Sequence, residues 1–416
     1  MTVAEPSTVD RLLILEPGQV GVRTEAAGQL GDGEFFVRTL YSGISAGTEL
    51  TFFTGTNPKV SEGWDAEHRL FRGDLAPDPA EAYPLLKGDM EAGIVVASRH
   101  QGVPVGARVA SMYGHTSGHQ LSDRGPWFWI PLPESLDSRL GVWPAHLGPV
   151  CVNGILCAAD EVRRAPLSSL RGSLRGQRVA VFGAGMVGLC CALVARWAGA
   201  GDIAVVDGIG ERLATAERLG FRALAAGEGL PLQLKARWTA GDPLDRGADI
   251  ALQCSGSGAL LAQALGCLRE QGTVVDLGFY QHGAAEVRFG REFHHNRLRH
   301  VCAQIGAVPR AQRQHWTKRR LAEETISCLA HQQDAFLGLI THDLPFSRGQ
   351  WAFERLAARD PSMLQVILHP DHPTPACPRL RTDVPAVPVA RDGTMRPSGV
   401  AASAQPDTSA RSQRCR

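Results

Sequence analysis

The stretch Arg178–Asp207, RVAVFGAGMVGLCCALVARWAGAGDIAVVD, reads as strand, tight turn, helix and second strand. Val179–Phe182 is a short apolar run of the kind a parallel sheet buries on both faces. Gly183, Gly185 and Gly188 follow in G-x-G-x-x-G spacing, with Met186 and Val187 at the two open positions. The first glycine permits the turn out of the strand, the second keeps a side chain out of the path of a pyrophosphate, and the third lets the helix pack close to the sheet. Free N–H groups at the helix start then face the phosphates. The second strand ends on Asp207, about where an acid meets the adenosine ribose. A carboxylate there accepts both ribose hydroxyls and repels a 2′-phosphate, which favours NAD over NADP. Arg212, five residues on, pulls the other way. FAD uses the same turn near a chain start, whereas this one lies mid-chain.

At 416 residues the chain exceeds one ordinary core and predicts two domains with further segments. A hydrophobic share of 44% and a charged share of 20% are those of a globular protein, and a net charge of +1 gives no electrostatic reason to expect nucleic acid or an acidic membrane surface. No apolar run reaches membrane-spanning length, and MTVAEPSTVDRLL lacks a basic-then-apolar signal pattern, so the expected location is the cytoplasm. The ten cysteines begin at Cys151 and include no C-x-x-C pair, which predicts neither a disulfide framework nor a structural zinc lobe.

Residues 1–155 are rich in Gly and Pro with short alternating runs at Gly33–Tyr41, Ala92–Ala97 and Ala107–Met112, an irregular and mostly antiparallel β pattern. A polar insertion, Lys59–Tyr83, interrupts it and reads as a surface loop with one or two helical turns. A helical run from Cys151 to Val162 leads into the nucleotide unit. After Asp207 come a helix at Gly210–Leu219, a strand at Asp249–Gln253, a helix at Ala259–Arg269 and a strand at Thr273–Leu277. This alternation predicts a doubly wound parallel α/β sheet, with Ser255 and Gly278 facing the cofactor at strand carboxyl ends or serving as ordinary loop formers. Residues 291–370 alternate helix and strand again. Residues 371–416 are Pro, Ala, Ser and Arg with few large apolar side chains and predict a disordered tail.

Together these features resemble the medium-chain dehydrogenase/reductase superfamily, alcohol dehydrogenase-like, over about residues 10–369. Gly43-Ile44-Ser45-Ala46-Gly47-Thr48-Glu49 is similar to its CGICGTD segment, Gly88-Asp89-Met90-Glu91-Ala92-Gly93 to its GHExxG segment, and Val105-Gly106-Ala107-Arg108-Val109 to its VGDRV turn. The resemblance implies a GroES-like catalytic domain over 1–155, completed by 301–370, and a Rossmann domain over 156–300. It also admits a homodimer through an edge strand near Arg299–Ile305. Where zinc-containing members carry a Cys and a His ligand, this chain has Ser45 and Asp89. Cys151 lies two residues from the third ligand position. The expectation is a zinc-free member.

Hydride transfer without zinc needs a hydrogen-bond donor or an acid–base group at the carbonyl oxygen. Thr48 matches the family position whose hydroxyl touches the substrate oxygen, or it stabilises a turn. His115, in the strand end Tyr113-Gly114-His115-Thr116-Ser117-Gly118-His119, is a candidate base or a structural histidine. Asn153 matches a position near the nicotinamide, or it caps a helix. Asp89 reads as an exposed turn residue or a buried functional acid. The leading expectation is an NAD-dependent enzyme interconverting a secondary alcohol and a carbonyl compound, acting on a small-molecule substrate. The alternatives are an NADPH-dependent quinone or enoyl reductase and a non-catalytic nicotinamide-binding protein.

Overall fold

The computed structural model describes residues 6–239 and 241–371. The tail expected over residues 371–416 lies, beyond Asp371, outside the described residues.

The chain opens with a hairpin, β1 (Thr8–Glu16) against β2 (Gln19–Ala26). β3 (Glu34–Gly43) then runs through the middle of a seven-stranded sheet and is followed by helix α1 (Ala46–Phe53). The Lys59–Tyr83 insertion departs from the expected loop, because it contains a small hairpin of β4 (Gly63–Asp65) and β5 (Leu70–Arg72) between two 3-10 turns at Pro58–Val60 and Pro79–Glu81. Trp64 packs on Phe71 at 4.9 Å across that hairpin, a cross-strand aromatic pair that isolated propensities do not reveal. β6 (Glu91–Ser98), β7 (Arg108–Ser111), β8 (Gly118–Ser122) and β9 (Trp129–Pro131) complete the antiparallel part. Inward side chains of β3, β6, β7 and β8, namely Phe35, Val37, Val95, Val109 and Leu121, form one apolar cluster.

Helix α2 (Leu147–Arg163) joins this half to a second sheet. β10 (Arg178–Phe182), α3 (Met186–Trp197), β11 (Asp202–Asp207), α4 (Gly210–Arg218), β12 (Arg222–Ala225), α5 (Leu230–Arg237), β13 (Ala248–Gln253), α6 (Gly258–Cys267), β14 (Leu268–Asp276), the short α7 (Glu292–His295) and β15 (Arg299–Cys302) follow in order. All pairings among these strands are parallel, in the order β12-β11-β10-β13-β14-β15. That order reverses between β10 and β13, which opens a crevice at the carboxyl ends of the strands. β15 runs across residue 300, so this sheet extends past the boundary drawn there.

The chain then returns. α8 (Lys318–His331) packs on α2, α9 (Gln333–Leu337) follows, and β16 (Ile340–Pro345), α10 (Gly349–Ala357) and β17 (Gln365–His369) carry it back to β3, where Ile367 pairs with Gly43. One apolar core runs from Met90, Ala110 and Ile130 in the first sheet, through Val152, Ile155 and Leu156 of α2, to Val179 and Val181 of β10. Residues 6–371 therefore belong to one compact unit. No helix among the described residues is long and apolar enough to cross a membrane.

Candidate active site

β10 delivers the chain into the glycine turn. Gly183 has φ of +101°, a left-handed conformation that glycine adopts without a Cβ penalty. α3 begins at Met186 with Gly185 at its cap and Val187 in the first turn, and no side chain caps the N–H groups of that turn, the helix end that favours negative charge. The in-register pairing of Phe182 with Val206 sets Asp207 beside the turn. Asp207 is only 5% exposed, and its carboxylate accepts the Ala184 N–H at 2.6 Å and the Ile209 N–H at 2.8 Å. Each oxygen keeps further lone-pair capacity for a ribose hydroxyl. A Cβ built on Gly185 would meet only the Arg212 guanidinium, at 3.9 Å, so Arg212 borders the space in front of the turn.

Ser255 and Gly278 come together here. A Cβ on Gly183 would lie 3.2 Å from Ser255 Cβ, and one on Gly278 would lie 2.2 Å from the Ser255 carbonyl oxygen. The carboxyl ends of β10, β13 and β14 thus form one wall. Beside it stands a group that the sequence does not advertise. Asp276 accepts from the Gly278 N–H and the Tyr280 hydroxyl, both at 2.8 Å, and lies 2.8 Å from His300 Nε2. Burial, with the Asp276 carboxylate next to it, pushes the Tyr280 phenol well up.

On the other side of the crevice, α1 and the loop before β6 carry the substrate-side candidates. Of its two readings, base or structural histidine, His115 fits the structural one. It is buried, with Nδ1 2.6 Å from Ser42 Oγ and Nε2 2.8 Å from Glu49 Oε2. Glu49 also accepts the Ser45 N–H at 2.6 Å. Both imidazole nitrogens are committed to holding α1 against the sheet. Thr48 lies on the exposed side of α1. Asn153 does not cap a helix: α2 begins six residues earlier, and Asn153 is buried within it, donating to Ala303 O at 3.3 Å and Ala307 O at 3.4 Å. Its Oδ1 is buried without a partner among the described residues.

Asp89 is no exposed turn residue. Its Oδ2 lies 3.1 Å from His146 Nε2, and the two side chains are 14% and 16% exposed. Burial pushes the Asp89 carboxyl up to about 8, with the Glu49 carboxylate adding to the rise and the Lys318 ammonium opposing it. Burial, with Lys318 nearby, pushes the His146 ring down to about 4. Around neutrality the contact therefore sets a protonated carboxyl against a neutral imidazole, at a distance a proton can cross once the two groups align. His146 and Lys318 escape a reading of the sequence alone, because each opens a helix far along the chain from Asp89. Only the fold brings the two together with Asp89.

A zinc ion does not suit these donors. The Cys151 thiol turns away toward Val187 O at 3.6 Å, Asp89 is engaged by His146, and Ser45 supplies only a hydroxyl. Among the described residues no three His, Cys, Asp or Glu side chains are grouped to hold a metal.

Residues 186–312 match the family profile described as zinc-binding dehydrogenase, a segment that contains neither Ser45 nor Asp89. D-guloside 3-dehydrogenase from Shigella flexneri is 25% identical over 295 residues, covering 70% of this chain and 79% of that protein. The probable D-xylulose reductase A of Aspergillus terreus is 34% identical over 163 residues, covering 39% of this chain and 41% of that protein. Among solved structures, 2R,3R-butanediol dehydrogenase from Bacillus subtilis superposes with a TM-score of 0.65 at 18% identity, over 87% of this chain and all of that one. The switch-point crevice, the glycine turn and these likenesses agree: the chain belongs to the medium-chain dehydrogenase/reductase superfamily and is an alcohol dehydrogenase-like oxidoreductase.

Proposed function

We propose that the protein is an NAD-dependent oxidoreductase that interconverts a secondary alcohol, of polyol or sugar type, with its carbonyl compound and does so without catalytic zinc. The six-stranded sheet is the cofactor-binding part and the seven-stranded sheet the substrate side. The buried Asp207 carboxylate carries the reading, standing at the end of β11 beside the glycine turn with acceptor capacity to spare. A bound nicotinamide supplies a hydride acceptor or donor. The N–H groups at the start of α3 hold its pyrophosphate, and Asp207 accepts from the ribose hydroxyls and repels a 2′-phosphate. The Thr48 hydroxyl is available to the substrate oxygen. The donors at Ser45, Asp89 and Cys151 support the zinc-free part of the reading. The substrate class follows the sugar and polyol names of the relatives.

One observation favours a second reading. The Arg212 guanidinium borders the turn, and it would welcome a 2′-phosphate and hence NADPH. Titrating the full-length protein with NADH and NADPH, followed by nicotinamide fluorescence, decides between them. We expect tighter NADH binding, a gap narrowed by Asp207→Ala, and no bound zinc by elemental analysis. Tighter NADPH binding lost in Arg212→Ala would replace this reading with the reductase one. The outer edge of β15 offers a strand for pairing with a second copy, and sedimentation would report a dimer.

A further inference from the structure

Asp89 and His146 meet where the first sheet adjoins the nucleotide crevice. His146 precedes α2, and along that helix Cys151 touches Val187 of the glycine turn while Gly154 lies against Leu277, next to Gly278. The far atoms of the pair, Asp89 Oδ1 and His146 Nδ1, are both buried without a partner among the described residues. An unmet buried polar atom costs about 1–3 kcal/mol, so these two, one at each outer end of the contact, call for a polar partner that the fold itself does not provide. Glu49 from α1 and Lys318 from α8 are the charged groups whose fields reach the pair.

We propose that Asp89 and His146 act together as the proton-handling pair of the alcohol–carbonyl reaction, an inference that rests on the oxidoreductase reading above. In oxidation the substrate C–H bond breaks with its electron pair going to the oxidised nicotinamide, and the carbon–oxygen double bond forms. The hydroxyl proton passes to His146 Nδ1 while the Nε2 proton crosses to Asp89 Oδ2. The pair ends with one proton more than it began with. Reduction runs the same transfers backward. The proton-poor form, with Asp89 ionised and Nε2 protonated, serves oxidation. The proton-rich form, with Asp89 protonated, serves reduction. Oxidation should therefore rise and reduction fall as pH increases through the Asp89 transition.

The test uses full-length protein labelled with 15N-histidine, as wild type, Asp89→Asn and His146→Gln. Ring nitrogen shifts are followed from pH 5 to 10, with His146→Gln identifying the signal. NAD+-linked oxidation of xylitol, reduction of D-xylulose and NADH affinity are measured alongside. We expect the wild-type ring to stay neutral and exchange its proton from Nδ1 to Nε2 near the Asp89 transition, and Asp89→Asn to abolish the exchange. Both variants should lose about 100-fold or more in rate, a typical worth of acid–base catalysis. Their pH profiles should flatten while NADH affinity holds within about twofold. A His146 ring that titrates like a free imidazole whatever stands at 89 overturns the pair, as do variants that keep the wild-type rate and pH profile. If the wild type moves no hydride with these probes, the ring titration still decides the pair. If the wild type fails to bind NADH, the cofactor reading falls on that measurement alone.

Discussion

Asp89 and His146 tie chemistry to stability. In the unfolded chain the carboxyl titrates near 3.8 and the imidazole near 6.5, whereas folding moves them to about 8 and about 4. The stability linked to protonated Asp89 is intact below its unfolded value and is lost as pH rises toward 8. The neutral His146 ring opposes folding at acid pH and ceases to do so as pH climbs from 4 to 6.5. Between 4 and 6.5 the two slopes oppose each other. From 6.5 to 8 Asp89 acts alone, and stability should fall by up to about 1.4 kcal/mol per pH unit. Urea unfolding of the wild type should therefore weaken over that window, and Asp89→Asn should remove this part of the decline. An identical pH dependence in both proteins would show that the Asp89 carboxyl is ionised in the folded state. The sequence offered Asp89 as a candidate acid but not its partner, since nothing in a run of residues couples position 89 to position 146. It offered His115 as a base for the opposite reason: a histidine in a strand end looks the same whether its nitrogens are free or, as here, bound to Ser42 and Glu49.

At the scale of the element, the glycine turn separates a folding role from a binding one. A Cβ on Gly188 would lie 1.7 Å from the Gly183 carbonyl oxygen, so Gly188→Ala must push α3 off the turn. At Gly185 the nearest atom is the Arg212 guanidinium at 3.9 Å, and alanine fits there until a phosphate arrives. We expect Gly188→Ala to cost about 1–3 kcal/mol in urea unfolding as an overpacking change and to abolish NADH binding. Gly185→Ala should unfold like the wild type and bind NADH at least about tenfold more weakly. Equal stability of the two variants would contradict the packing assignment of Gly188. The turn was legible because its spacing alone encodes it. α2 was legible only from Cys151 onward, since its first turn, Leu147–Val150, contains Gly148 and Pro149 and reads as loop until the core buries it. The β4–β5 hairpin was illegible for a related reason, its strands being three residues each and too short to show a period.

At the scale of the whole molecule, the core that passes through α2 makes the two sheets one cooperative body. Calorimetry should show a single transition for the wild type, and NADH at a hundred times its dissociation constant should stabilise all of it by about 2.7 kcal/mol. Two transitions with only one shifted by NADH would mean that the sheets unfold separately. The sequence by itself determined the doubly wound sheet, the glycine turn, Asp207 and the antiparallel character of the first part. Each of these is written in local periodicity or fixed spacing, which backbone geometry converts directly into structure. The tertiary structure alone decided the pairing of Asp89 with His146, the closure of His115 inside a Ser–His–Glu contact, the Asp276–His300 pair and the return of β17 to β3. Those contacts join segments 24 to more than 300 residues apart, and burial and hydrogen bonding between such segments leave no period in the chain that makes them.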